Sequence, residues 1–191
     1  MENMMILESF LYAAGIVFLA ELGDKTMLAT VCLSAQYRRP VFVLIAAMLA
    51  LTVCTVIAVV IGVILSTTLP LDLIILLSGG ILIILGIYTL IRKESNEDTS
   101  CNQPQTFLSM FSLVLVSEMG DKTQIASLAL AAQSAFPLMV FLGALLGFLL
   151  VNGIGAIAGE QISKRVPIRL IQNVTGILFV IVGILIVFGI I

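Results

Sequence analysis

Apolar positions run through this chain in long blocks, separated by short polar junctions. A bilayer core takes about 20 mainly apolar residues per helix. Six stretches meet that requirement, at roughly 8–35, 40–66, 71–92, 105–133, 137–160 and 168–190. Pro40, Pro70, Pro137 and Pro167 fall at the junctions, where a missing backbone N–H costs least. One linker is plainly polar: residues 93–105 read Lys-Glu-Ser-Asn-Glu-Asp-Thr-Ser-Cys-Asn-Gln-Pro-Gln. The pattern therefore predicts an all-α integral membrane protein with six transmembrane helices. A first three-helix repeat covers 1–93, a cytoplasmic linker 94–104 and a second three-helix repeat 105–191.

Two polar interruptions stand inside these apolar blocks, and they match. Glu21-Leu22-Gly23-Asp24-Lys25-Thr26 returns as Glu118-Met119-Gly120-Asp121-Lys122-Thr123, 97 residues later. The same offset carries Pro40 onto Pro137, Pro70 onto Pro167 and Gln36 onto Gln133. It also carries Gly62, Gly79 and Gly86 onto Gly159, Gly176 and Gly183, without a gap. Shared composition would match Leu with Ile. It would not align Pro, Gly and charged residues in one register. Each repeat holds an odd number of helices, so the second enters the membrane inverted. Secondary transporters use that plan, with substrate bound near the midplane between the repeats. Duplication that only builds a symmetric scaffold is the alternative, but a scaffold has no need of charges at the centre of both halves.

Composition supports the membrane assignment. Of the 191 residues 61% are hydrophobic and 10% charged, with a mean hydropathy of +1.24; soluble domains carry about 25% charged residues. Outside the motifs the positive charges are Arg38, Arg39, Arg92, Lys93, Lys164, Arg165 and Arg169, all in loops after the first, third and fifth spans. The positive-inside rule makes those loops cytoplasmic and puts both termini on the other face. The N-terminus bears Glu2 and Glu8 and no early Lys or Arg, so the first span reads as a retained helix and not a cleaved signal. Cys32, Cys54 and Cys101 show no C-x-x-C spacing, which argues against a thiol relay. The chain has no histidine, the commonest transition-metal ligand.

Ionisable side chains within a span are costly and mark functional paths. Read as continuous helix, the first motif puts Glu21 and Asp24 about 60° apart on one face, with Lys25 about 40° from Glu21. Gly23 and Gly120 remove bulk there, so that helices approach closely or the backbone opens locally. Brought together, two such faces offer four carboxylates and two ammoniums, a formal charge of −2. A divalent cation or two protons would neutralise it. Carboxylates suit hard cations, and protons compete for the same oxygens. The alternative is a pair of intrahelical ion pairs, Glu21–Lys25 and Glu118–Lys122, in the favourable i to i+4 order. Lys25 and Lys122 either balance charge or move between carboxylates as the site fills. Thr26 and Thr123 are candidate hydroxyl ligands or bond back to their own helix. Met27 and Gln124 share a repeat position; a thioether there favours a softer ion such as Mn²⁺, or else simply fills space. Asn152 reads equally as ligand and as interhelical hydrogen bond. Glu160 reads as a mouth residue or an interfacial charge. The glycines at 79, 86, 176 and 183 read as packing faces.

With these residues the chain resembles the uncharacterised protein family 16 group, the Gdt1/TMEM165 family of cation/proton exchangers. The family signature is two copies of Glu-x-Gly-Asp-Lys/Arg-Thr/Ser in a six-helix protein, and both copies are complete here. The resemblance covers essentially the whole chain. It implies export of Mn²⁺, with Ca²⁺ handled by some members, in exchange for protons. It carries metal-ligand roles onto Glu21, Asp24, Glu118 and Asp121. The short chain and small linker resemble bacterial members, which are manganese exporters of the cell (inner) membrane.

The expected partners are thus the metal ion and the lipid bilayer, with homo-oligomer formation left open and no nucleic acid. No cofactor is expected beyond the transported cation and protons. A passive channel would lack proton coupling. An intramembrane lipid phosphatase or thiol carrier would need His, C-x-x-C or clustered Arg in a span. An amino-acid exporter has no use for the second acidic set.

Overall fold

The computed structural model describes residues 2–22, 24–37, 39–91, 106–163 and 168–188. The linker 94–104 with Cys101 lies outside them, as do Gly23, Arg38, Arg92, Lys93, Lys164, Arg165 and the side chains of Lys25, Glu160 and Arg169. The described residues form eight helices: α1 (Glu2–Glu21), α2 (Lys25–Tyr37), α3 (Pro40–Thr68), α4 (Leu71–Ile91), α5 (Phe107–Glu118), α6 (Lys122–Gln133), α7 (Pro137–Ser163) and α8 (Ile168–Val187).

Proline sets several boundaries. Pro40 and Pro137 open α3 and α7, where a fixed φ is already helical. Leu69, just before Pro70, is extended at φ −110°, ψ 148°, as steric conflict with the proline ring requires. Thr106 caps α5 through a reciprocal capping box with Ser109, satisfying amides that would otherwise be orphaned.

The expected spans at 40–66, 71–92, 137–160 and 168–190 are single helices. Those at 8–35 and 105–133 are not. Each is cut into two helices at the charged motif, α1 from α2 and α5 from α6. Reading the motif as continuous helix was therefore wrong. In the second copy the physical cause is Gly120, which adopts φ +83°, a left-handed conformation that ends a helix and that glycine enters without Cβ strain.

Four helices are long and apolar enough to cross a membrane, over Met4–Glu21, Pro40–Thr68, Leu71–Ile91 and Pro137–Ile157, and shorter apolar helices lie at Phe107–Glu118 and Gly176–Val187. Large side chains face outward, among them Val41, Val60, Ile64, Leu76, Ile84, Val116 and Ile157. Small ones are buried, including Ala13, Ala46, Ala50, Ala126, Ala131 and Ala144. Lipid is as apolar as leucine, so helices associate through close backbone approach at small residues. This is a multi-pass membrane protein.

Glycine contacts fix the helix directions. A Cβ on Gly143 would collide with the carbonyl oxygen of Phe10, and one on Gly147 would stand 2.8 Å from that of Ala14. Numbers rise together, so α1 and α7 run parallel. On α4 and α8 the order reverses. A Cβ on Gly79 would lie 2.7 Å from the Gly183 oxygen, and one on Gly183 would lie 2.6 Å from the Gly79 oxygen. Gly86 and Gly176 meet in the same reciprocal way, at 2.6 and 3.0 Å. These helices cross antiparallel, and the 97-residue offset exchanges one contact pair for the other.

Candidate functional site

The two helix breaks place the motif residues in the same local roles. Glu21 is the last residue of α1 and Glu118 the last of α5. In each copy the aspartate N–H turns back to the glutamate carbonyl, Asp24 to Glu21 at 3.1 Å and Asp121 to Glu118 at 3.2 Å. Asp121 is extended at φ −75°, ψ 167°, and makes no side-chain cap bond. The Gly120 N–H donates to Gln124 Oε1 at 2.6 Å, and Gln124 Nε2 donates to the Cys54 carbonyl at 3.2 Å. Gln124 thus braces the second break against α3.

Packing then joins the halves. Glu21 and Asp24 from the first and Glu118 from the second each offer a carboxylate oxygen, and the three oxygens lie within 4.8 Å of one another. All three residues are buried, at 0%, 4% and 2% relative exposure. Hard divalent cations take oxygen ligands at about 2.0–2.6 Å, so oxygens on opposite sides of one ion stand about 4–5 Å apart. The cluster has that dimension. Both oxygens of Glu21 are buried and accept no hydrogen bond from the described residues. Such a vacancy costs about 1–3 kcal/mol per neutral group and more when charged, unless a cation or proton fills it. Asp121, half-buried, stands outside this cluster.

Two polar contacts between motif residues cross from one half to the other in opposite senses. Lys122 Nζ lies 2.5 Å from Asp24 Oδ1. Thr26 Oγ1 donates to Glu118 Oε1. Lys122 is thus engaged across the site and not with Glu118 one turn earlier. The helix break removes the i to i+4 registry that an intrahelical pair needs.

The remaining candidates sort by contact. Thr26 donates to a carboxylate of the other half. Thr123, the last residue of the second motif, is buried. Asn152 accepts from Thr30 Oγ1 at 3.0 Å and donates to the Phe148 carbonyl at 3.0 Å, so it serves as an interhelical bond. Met27 packs over Gly155, where a Cβ would stand 3.2 Å from its Cγ. Gln124 has both amide atoms committed to the backbone. Sequence reading missed a row of buried hydroxyls beyond the motif: Thr30 and Ser34 on α2 and Ser127 on α6. Their spacing of four from Thr26 and Thr123 was visible in the sequence.

The family follows from comparison with known proteins. A family model described as "Divalent cation/proton antiporter GDT1" matches residues 9–97 and 106–190. The chain belongs to the GDT1 family. The second match begins 97 residues after the first, the repeat offset itself. Among GDT1 relatives, the "Putative manganese exporter" of Vibrio cholerae serotype O1 is 32% identical, covering 87% of this chain and 84% of that protein. The chloroplastic PAM71-homolog of Arabidopsis thaliana is 27% identical over 95% of this chain, and the chloroplastic GDT1-like protein 2 of rice 27% over 98%. The chain spans about three fifths of the length of those two plant proteins, 59% and 63%. No solved structure matches. Family membership makes the protein a divalent-cation transporter and not an enzyme.

Proposed function

We propose that the protein exports Mn²⁺ from the cytoplasm in exchange for protons, with Glu21, Asp24 and Glu118 as the carboxylates that carry cation and proton in turn. The observation that carries this reading is the meeting of buried Glu21, Asp24 and Glu118, drawn from both halves, within 4.8 Å. An all-oxygen acidic site suits a hard or borderline divalent ion. Export of manganese is what the name of the Vibrio cholerae relative describes, and proton exchange is in the family description. Once the ion leaves, the same carboxylates cannot all remain ionised beside one another in low dielectric, so protons take its place.

The transport cycle in this reading is a rocking of two inverted three-helix repeats about the midplane. The antiparallel crossing of α4 and α8, with glycine contacts that the repeat offset interchanges, supports it. So do the two breaks, since discontinuous helices build the ion sites of inverted-repeat transporters and their carbonyl ends favour cations. Loop charges favour the cell (inner) membrane orientation in which both termini lie outside.

The test is Mn²⁺ flux in proteoliposomes. With an acid interior, Mn²⁺ should accumulate inside as protons leave. Dissipating the gradient should abolish the accumulation. Asp24→Asn and Glu118→Gln should each cut the flux at least tenfold; a flux in either variant equal to wild type overturns the site assignment. Ca²⁺ competing as well as Mn²⁺ would overturn the choice of metal.

A further inference from the structure

We infer that Lys122 is a tethered counter-cation of the transport site, which holds Asp24 while no metal is bound and gives it up when a divalent cation enters. The inference rests on the site proposed above.

Its ion pair is not made within its own helix. Lys122 is the first residue of α6, and the first turn of that helix contains no acid. The positive end of the helix dipole lies there, so a lysine at that position works against the helix. The ammonium instead reaches across to Asp24, with 17% of the lysine side chain exposed against 4% of the aspartate. Asp24 is also one of the three carboxylates that form the cation-sized cluster. Its oxygens therefore have two claimants, and a divalent ion seated among Glu21, Asp24 and Glu118 would face an ammonium at like-charge contact distance.

Charge decides the exchange. Against the −3 of three ionised carboxylates a divalent cation supplies +2 and the ammonium +1, so protons on the carboxylates that Lys122 does not hold complete the neutralisation once the ion has left. The ion is the better neutraliser, and the ammonium the better occupant of a site that must let go. A lysine suits the task, being a compact point charge on a flexible four-carbon stem. It moves with its proton; no deprotonation is involved. An exchanger also needs its cargo to leave, and a resident cation returning to Asp24 opposes rebinding.

Direct Mn²⁺ binding to the purified full chain, read from the electron paramagnetic resonance signal of free Mn²⁺, tests this. Lys122→Gln should bind Mn²⁺ several-fold more tightly than wild type, while its Mn²⁺ exchange in proteoliposomes slows. Lys122→Arg keeps the charge and forks onto the carboxylate, so it should bind Mn²⁺ more weakly than wild type. A merely structural lysine gives the opposite sign, with Lys122→Gln binding more weakly. Folded Lys122→Gln that binds no more tightly overturns the inference. If Lys122→Gln does not fold, Lys122→Arg decides, and affinity equal to or above wild type overturns it. Wild type that binds no Mn²⁺ overturns the proposed site itself.

Discussion

At the residue scale, the two motif glycines look interchangeable with those in the helix interfaces, yet Gly120 has a different job. A Cβ there would meet nothing within 4 Å, so packing does not demand glycine; φ +83° does. Gly120→Ala should destabilise the protein by about 1–2 kcal/mol, seen as a lower melting temperature in detergent. Gly120→Asn should be milder, because asparagine enters the left-handed region more readily. The hydroxyl of Thr26 gives a second residue-scale prediction. It is a donor to buried Glu118, so Thr26→Val should cost about 1–3 kcal/mol and Thr26→Ser much less. A melting curve of Thr26→Val superimposed on wild type would show that the hydroxyl bond contributes nothing.

At the element scale, α4 and α8 hold together through four glycines that leave no space for side chains. Gly183→Leu would drive a side chain into Gly79 and Ile83, and should lower the melting temperature by many degrees. Gly80→Ala, on the same α4 but with nothing within 4 Å, should fall within about 0.5 kcal/mol of wild type. The sequence made these packing faces legible, since Gly79/Gly86 and Gly176/Gly183 each repeat every seven residues and match under the offset. Four helices were legible for a related reason: prolines at 40, 70, 137 and 167 stand where the apolar runs begin. The interruptions of the first and fourth spans were legible only as one of two options for the motif glycines. Apolar periodicity reports which solvent a segment faces, and both pieces of a broken span face the same lipid. Only backbone geometry separates α5 from α6, and Gly120 alone does not declare its φ.

At the scale of the whole molecule, the proposed proton coupling fixes a sign. In proteoliposomes acid on the inside should draw Mn²⁺ in, and acid on the outside should expel Mn²⁺ already loaded. Flux indifferent to which side is acid would mark a passive pore. The candidate residues of this site were legible as types and positions, because matched carboxylates in apolar spans have few other uses. Their partnerships were not. Helical spacing paired Glu118 with Lys122, whereas the fold pairs Lys122 with Asp24 and Thr26 with Glu118. Those two crossed contacts carry a genetic consequence. A lesion at Asp24 or Thr26 is felt by residues about a hundred positions away as well as by its own neighbours. Revertants selected for restored metal tolerance should therefore include second-site changes between residues 118 and 123, and the two halves of the gene are bound to vary as one unit.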